Sequence, residues 1–172
     1  MDRILILGNS GAGKSWLSWH LRERLGLGVH HLDDLFWEPG GFVRERPIEL
    51  VRADVKRVAD EPRWILEGVF GDLVEPILHR CTYLIFLDKD WAECHHALMD
   101  RGIQPERHAS VEDAKRSFDA LVQWASQYWT RGNGRSFIGH STLFERFSGP
   151  KAALRSRALT AQFLAGLRPS AR

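Results

Sequence analysis

The sequence predicts an α/β fold in which helices cover both faces of a parallel sheet, giving three layers. Five short apolar runs recur along the 172 residues, and most segments between them show helical periodicity. The five predicted strands are residues 4–7, 29–32, 64–66, 83–87 and 152–154. Alternation of short apolar strands with helices is typical of a parallel sheet that is buried on both faces.

Apolar stripes at helical spacing predict the longer helices. One stripe spans residues 48–58 and begins directly after Pro47, a residue suited to the first turn of a helix. The longest stripe, residues 111–129, lies between the fourth and fifth strands. A third stripe, residues 159–167, follows the fifth strand, so each predicted strand is followed or preceded by a covering helix.

Length, charge and cysteine content restrict the class of protein. A chain of 172 residues, 44% of them hydrophobic, can bury one sizeable core, and we expect a single domain over residues 1–172. Cys81 and Cys94 are too few for a disulfide framework, which favours a reducing, cytoplasmic setting. Only four apolar residues follow the charged start of the chain, so we expect neither a signal peptide nor a membrane span.

The stretch GNSGAGKS, residues 8–15, lies between the first strand and a helical segment. It fits the pattern G-x-x-x-x-G-K-[ST], in which backbone N–H groups and a helix N-terminus surround phosphate oxygens. Lysine adds a mobile cation, and the serine hydroxyl is a ligand for Mg²⁺. We predict that ATP and Mg²⁺ bind here. The predicted phosphate-binding residues are Asn9, Ser10, Gly11, Ala12, Gly13, Lys14 and Ser15.

Carboxylates follow three of the predicted strands, at the edge of the sheet where open α/β folds bind ligands. Asp33 and Asp34 end the second strand, Glu67 ends the third and Asp88 follows the fourth. An acid beside phosphate-bound Mg²⁺ holds its water molecules or accepts a proton from an attacking hydroxyl. Asp34 and Asp88 are equally well explained as helix caps or surface charges.

Four segments, together with the glycine-rich loop, resemble the small adenylate-kinase-like P-loop proteins often labelled topology modulation or FlaR-type proteins. The segments are HLDDLFWEPGG (31–41), WILEGVF (64–70), LIFLD (84–88) and KAALRSRALTAQFL (151–164). The resemblance spans most of the chain. It implies a P-loop, nucleoside-monophosphate-kinase-like core with the strand order 2-3-1-4-5, and it leaves the phosphate acceptor open.

The resemblance also implies roles for individual residues. Glu67 and Gly68 look like the acid and glycine that end the third strand of adenylate kinases, where the acid orients magnesium-bound water. Residues 69–71 depart from the aromatic, proline and arginine that follow there and grip the acceptor. Asp33 is similar to the aspartate that small-molecule kinases of this superfamily place beside the acceptor hydroxyl, so a non-nucleotide acceptor stays open.

An acceptor pocket is predicted beside this aspartate. Trp37, with Phe36 next to it, lies on a loop close to Asp33 and could form a wall of the pocket. Trp124 and its aromatic neighbours are instead interpreted as packing residues. The predicted pocket residues are Asp33, Asp34, Trp37 and Gly68.

Arginines are predicted at two further positions. Arg101 and Arg107 belong to a short lid around residues 101–110, where they could stabilise the transferring phosphoryl group or be solvated charges at a helix end. A helical insertion around residues 110–148 follows. Arg155 and Arg157 resemble part of the loop that covers adenine in this family, although packing or a helix start explains them nearly as well.

These observations predict a cytoplasmic, ATP-dependent phosphotransferase that transfers the γ-phosphate to a nucleotide or another small-molecule acceptor and acts as a monomer or homodimer. Lys14 would hold the phosphates, and Asp33 would position the acceptor or take its proton. One alternative is a nucleotide-dependent regulatory protein that hydrolyses ATP slowly. A DNA-acting protein is a second alternative, but the net charge of +2 and the scattered arginines leave little electrostatic footprint for nucleic acid. GTP in place of ATP also stays open.

Overall fold

The computed structural model describes residues 1–39 and 44–167, so the end of the 31–41 segment lies outside its description. This part of the chain contains five strands: β1 (Arg3–Gly8), β2 (Val29–His31), β3 (Trp64–Gly68), β4 (Tyr83–Leu87) and β5 (Lys151–Ala153). Its α-helices are α1 (Lys14–Leu25), α2 (Leu32–Phe36), α3 (Ile48–Asp60), α4 (Gly71–Val74), α5 (Trp91–Arg101), α6 (Val111–Ser126), α7 (Phe137–Arg146) and α8 (Arg157–Gly166). None of these helices has both the length and the apolar character needed to cross a membrane.

The five strands form one parallel sheet in the order β2-β3-β1-β4-β5. This confirms the predicted fold class and the strand order implied by the family resemblance. Because β1 is central, the loop at its C-terminal end lies between the ends of β3 and β4. A ligand held by that loop therefore meets the residues that end the neighbouring strands.

Side-chain alternation along the buried strands builds a core on each face of the sheet. In β1, Leu5 and Leu7 enter one core, which also contains the buried valines of α3. Ile4 and Ile6 point to the opposite face and pack with Leu17 of α1 in the second core. Successive residues of a strand face opposite sides, so one apolar run supplies both layers.

The predicted helices are found, with differences at two of their starts. Helix α3 begins at Ile48, directly after Pro47, as the sequence predicts. Val111 and Leu159 belong to predicted apolar stripes, yet they are 57% and 43% exposed. Both lie in the first turn of their helix, and burial begins only further along α6 and α8.

Helices α6 and α7 occupy much of the region between residues 110 and 148, and buried polar contacts attach them to the sheet. The side-chain amide of Asn9, at the end of β1, donates to the carbonyl of Ala125 in α6 at 3.0 Å. In α7, Nε2 of His140 donates to the Val69 carbonyl at 2.9 Å, so its Nδ1 accepts from the Tyr128 hydroxyl at 2.6 Å. Burial lowers the pKa of His140 to about 4, which keeps the ring neutral.

Candidate active site

The glycine-rich loop needs glycine at two positions for different reasons. Gly11 has a φ of +80°, and a Cβ atom there would lie 2.2 Å from the backbone oxygen of Cys94 in α5. Gly13 has a φ of +91°, and a Cβ atom there would meet nothing within 4 Å, so glycine is needed for its backbone conformation and not for lack of space. The loop is therefore packed closely on α5 at one end and turns freely into α1 at the other.

Lys14 lies within this loop with only 9% of its surface exposed. Its Nζ atom donates to the carbonyl of Asn9 at 2.9 Å, and the N–H of Ala12 donates to the same oxygen. The ammonium group is thus held over the centre of the loop by one backbone oxygen. A phosphate bound at the loop would offer this cation a stronger, charge-assisted partner.

A partly buried hydrogen-bond network joins the ends of β2 and β3 to α1. Glu67 is 3% exposed, and its Oε1 atom accepts from the Ser15 hydroxyl at 2.8 Å. The same oxygen lies 2.5 Å from Nδ1 of His31. His31 and Glu67 are direct partners in the parallel register of β2 and β3, so strand pairing itself brings the two side chains together.

The network controls the charge of its members. Burial raises the pKa of the Glu67 carboxyl, but hydrogen bonds from His31 and Ser15 and the positive charge of Lys14 outweigh burial and leave that pKa below its usual value. The hydrogen bond to Glu67 raises the pKa of His31, although partial burial opposes this. Glu67 is therefore a charged carboxylate inside the protein.

Asp33 lies in the first turn of α2, directly after β2, and is partly buried. Burial is the largest influence and raises the pKa of its carboxyl; the nearby charge of Lys14 and a side-chain hydrogen bond from Trp37 act in the opposite direction. A carboxylate with a raised pKa on the wall beside the phosphate-binding loop is suited to accept a proton.

Asp33 and the phosphate-binding loop border one cavity of about 680 Å³. Nine of the residues predicted for the site line this cavity: Ser10, Gly11, Gly13, Lys14, Ser15, Asp33, Trp37, Glu67 and Arg101. The cavity therefore brings together the residues predicted to hold phosphate, those predicted to hold Mg²⁺ and the candidate base.

Two residues predicted for the acceptor pocket lie elsewhere. Asp34 is exposed and is not among the described residues that line the cavity, because the helix begins at Leu32 and a step of about 100° turns Asp34 away from Asp33. Gly68 is a packing position. A Cβ atom on it would lie 2.6 Å from the Cβ of Leu32, so glycine allows α2 to sit directly against β3.

Two loop residues direct their side chains away from the cavity. The amide of Asn9 bonds to α6, and its Oδ1 atom accepts from the N–H of Ser10 at 2.8 Å. Ala12 is 1% exposed and packs in the core. At these positions only the backbone is left to contact phosphate, whereas the side chains fix the shape of the loop.

Of the four predicted arginines, Arg101 lines the cavity, and Arg155 and Arg157 lie on the surface outside it. The side chain of Arg107 lies outside the described part of the structure. Arg155 is exposed and donates through Nε to Asp88 at 2.9 Å. Arg157 is an exposed residue at the start of α8, and neither Arg155 nor Arg157 is among the described residues of the cavity wall.

Sequence reasoning missed several residues of the site. No local sequence pattern indicates the role of His31, because its contact with Glu67 follows from strand register. Phe118 and Trp124 line the cavity, whereas the helical periodicity of this segment predicts only that its apolar residues pack. Arg135 also lines it, from the loop before α7, and nothing in the local sequence separates it from the other arginines.

The residues present fit a magnesium ion. The Ser15 hydroxyl and the Glu67 carboxylate are neighbouring oxygen ligands on the cavity wall beside the phosphate-binding loop. Mg²⁺ prefers oxygen ligands and keeps several water molecules, and a charged, buried carboxylate next to a serine hydroxyl supplies that chemistry.

Comparison with known proteins identifies the fold. No family profile and no curated protein matches the sequence. Among solved structures, shikimate kinase from Aquifex aeolicus is 13% identical, with a TM-score of 0.50 over 95% of this chain and 94% of that one. Shikimate kinase from Acinetobacter baumannii, in complex with shikimate, is 14% identical, with a TM-score of 0.56 over 95% of this chain and 91% of that one. The chain thus has the fold of small P-loop kinases.

The pair formed by His31 and Glu67 should make a pH-dependent contribution to the free energy of unfolding. Because the pKa of His31 is raised on folding from an ordinary value of 6.5, the pair stabilises the protein fully below about pH 6.5. That contribution is lost as the pH rises through the folded-state pKa. The free energy of unfolding of wild type minus that of His31→Gln should therefore shrink from about pH 6 to about pH 9, measured by urea unfolding in metal-free buffer.

The control is the same comparison in a Glu67→Gln background. Without the carboxylate, burial lowers the pKa of His31 and only the charges of Asp33 and Asp34 raise it. The stabilisation by His31 that is lost between about pH 6 and about pH 9 should therefore become much smaller or reverse in sign, and a loss as large as in wild type would contradict the assigned pair.

Proposed function

We propose that this protein is an ATP-dependent phosphotransferase that phosphorylates a hydroxyl group of a small molecule. One observation carries the proposal: Asp33, whose carboxyl has a raised pKa, borders the same cavity as Lys14 and Ser15 of the phosphate-binding loop. A passive nucleotide binder needs the loop, but it does not need a carboxylate on the wall beside it.

The loop would bind the triphosphate through its backbone N–H groups and Lys14. On binding, the Lys14 ammonium would leave the Asn9 carbonyl for the phosphate oxygens, where a charge-assisted contact is stronger. The Asn9 carbonyl keeps the N–H of Ala12 as a donor, so the loop can retain its shape. The N-terminal end of α1 adds the favourable dipole of a helix.

Ser15 and Glu67 would hold Mg²⁺, Ser15 directly and Glu67 through water, and the ion would neutralise charge on the phosphates. His31 would keep Glu67 charged and oriented through its hydrogen bond. Ser15 donates to Glu67 when no metal is bound, and it would turn its oxygen lone pairs towards the ion.

Asp33 would position the acceptor hydroxyl and take its proton. Arg101 borders the cavity, which supports a role for residues 101–110 as a short lid that brings positive charge to the transferring group. Contact of Arg107 with the phosphoryl group, and of Arg155 and Arg157 with the adenine base, remain predictions. The kinase fold neighbours, one of them in complex with shikimate, support a small-molecule acceptor over a macromolecule.

The loop assignment is tested by Lys14→Ala. Losing a charge-assisted phosphate contact should weaken ATP binding by about 10- to 100-fold, since such hydrogen bonds contribute about 1.5–3 kcal/mol. Isothermal titration with ATP measures the change, and circular dichroism verifies the fold. Lys56→Ala, which removes an exposed lysine of α3, is the matched control and should bind ATP like wild type. Equal affinities in the two variants would refute the assignment.

The proposed base is tested by Asp33→Asn, which keeps the size of the side chain but loses its charge. Acceptor-dependent ADP release should fall by about 10²- to 10⁴-fold, the usual contribution of a general base, while ATP affinity changes little. In wild type, transfer should decline as the pH falls through the raised pKa of Asp33. That acidic limb should be absent in the variant.

Asp34→Asn is the control for this experiment, because Asp34 is adjacent in sequence but exposed. It should leave both ATP binding and transfer unchanged. Parallel loss of ATP binding and transfer in Asp33→Asn would place Asp33 at the metal or in the fold. Tight ATP binding without transfer to any alcohol would favour the nucleotide-dependent regulator.

A further inference from the structure

We propose that the acceptor is a neutral alcohol that carries a planar aromatic or heteroaromatic ring. This inference rests on the proposed phosphotransfer and specifies the class of molecule that occupies the cavity beyond the phosphates. Three features of the wall carry it: its aromatic side chains, the pairing of Arg135 with the carboxylate of Asp72, and the position of Trp37 one helical turn from the candidate base.

Aromatic side chains enter the cavity from four separate segments. Trp16 belongs to α1, Trp37 follows α2, Phe70 follows β3, and Phe118 and Trp124 belong to α6. Phe118 and Trp124 are only half-buried, so α6 turns aromatic surface towards the cavity. Flat aromatic walls on several sides are suited to a planar ring, which they contact by stacked and edge-to-face packing.

Arg135 borders the cavity, but its positive charge is already paired with a carboxylate of the protein, that of Asp72. Its Nη2 and Nε atoms donate to the carboxylate of Asp72 at 3.0 and 3.1 Å. The guanidinium carbon lies 4.7 Å from the ring centre of Phe36 and 4.6 Å from that of Phe70. The arginine therefore braces the aromatic wall and has a carboxylate that already balances its charge.

Negative charge is also present on the wall. Asp33 and Glu45 both line the cavity, and within the described residues no ion pair joins either carboxylate to a cationic side chain. Lys14 belongs to the phosphate loop. Arg101 lies at the end of α5, one turn after Leu98, which approaches the same loop at Gly11. An anionic acceptor beside Asp33 and Glu45 would thus meet like charge, whereas a neutral one would not.

Trp37 and Asp33 lie one helical turn apart, and both line the cavity. A hydrogen bond from the backbone N–H of Trp37 to the backbone carbonyl of Asp33 at 3.0 Å fixes their spacing, so the aromatic ring and the candidate base are neighbours on the wall. A ring packed against Trp37 has its substituents close to the carboxylate. A hydroxymethyl group on such a ring can therefore reach Asp33 without displacing the ring from the wall.

The transfer step balances with ATP as the co-substrate. The hydroxyl oxygen forms a bond to the γ-phosphorus, and its proton passes to the Asp33 carboxylate. The bond between the γ-phosphorus and the bridging oxygen breaks, and its electron pair leaves on ADP. Release of the proton from Asp33 to solvent completes the conversion of alcohol and ATP into a phosphate monoester and ADP.

Two matched pairs of compounds test the inference: benzyl alcohol with 4-(hydroxymethyl)benzoate, and adenosine with AMP. Each pair keeps the ring and adds one anionic group. Binding is measured by isothermal titration with Mg²⁺ and a non-hydrolysable ATP analogue present, and transfer by ³¹P NMR with ATP. The neutral member should bind about tenfold more tightly or better in each pair. Equal or tighter binding of the anionic members would overturn the inference.

Variants of the wall identify where the ring binds. Phe118→Ala should weaken binding of the neutral alcohols by about two- to tenfold, the range expected for one aromatic contact. Val111→Ala, in the same helix but 57% exposed, is the matched control and should leave binding unchanged. Equal affinities of the two variants for both neutral alcohols would overturn the placement of the ring against α6.

Asp72→Asn tests whether Asp72 balances the charge of Arg135. Removing the carboxylate leaves Arg135 with an unbalanced charge, so 4-(hydroxymethyl)benzoate should gain affinity relative to benzyl alcohol. Glu75→Gln is the control, because Glu75 pairs with Arg146 at 2.5 Å and is not among the described cavity residues. An unchanged preference in Asp72→Asn would overturn the role given to the pair.

Failure of the inference is distinguishable from failure of the proposed function. Binding of neutral ring alcohols without any transfer would retain the acceptor class and refute the phosphotransferase. Transfer to AMP or 4-(hydroxymethyl)benzoate alone would retain the phosphotransferase and refute the acceptor class. Binding of neither neutral alcohol would overturn the inference.

Discussion

The charge on Glu67 is the constraint around which this site is arranged. A charged carboxylate that is only 3% exposed and has no partner would be strongly unfavourable, so the side chain would take up a proton and lose its charge. Three groups prevent this: the imidazole of His31, the hydroxyl of Ser15 and the nearby charge of Lys14. His31 ends β2, whereas Ser15 and Lys14 begin α1, so the charge is stabilised inside the protein only when β2, β3 and the start of α1 are correctly assembled.

The sheet order makes this assembly possible. Parallel pairing places His31 opposite Glu67, and the central position of β1 brings the phosphate-binding loop to the same edge. The bond from Asn9 to Ala125 then ties this loop to α6, which forms part of the cavity wall. The loop and the α6 wall of the cavity are thus joined by one buried hydrogen bond.

Features encoded by local sequence were predictable, whereas those that depend on tertiary contacts were not. The glycine-rich loop is a contiguous pattern with a fixed geometry, and Asp33 could be placed at the ligand-binding edge because a strand end in a parallel sheet has a known location. Asp34 could not be separated from it, since the distinction depends on α2 beginning already at Leu32. The bond between His31 and Glu67 joins residues 36 positions apart and follows from strand register. Periodicity likewise identifies the apolar face of α6 but not the cavity that this face borders.

The central claim is that this cavity holds a triphosphate whose terminal phosphate faces Asp33. A crystal structure with Mg²⁺ and a non-hydrolysable ATP analogue tests it most directly. The account predicts that Nζ of Lys14 moves from the Asn9 carbonyl to phosphate oxygens, that Ser15 Oγ joins the metal, and that the γ-phosphate faces Asp33 across an aromatic-lined space. A triphosphate bound outside the loop, or one whose γ-phosphate is turned away from Asp33, would contradict it.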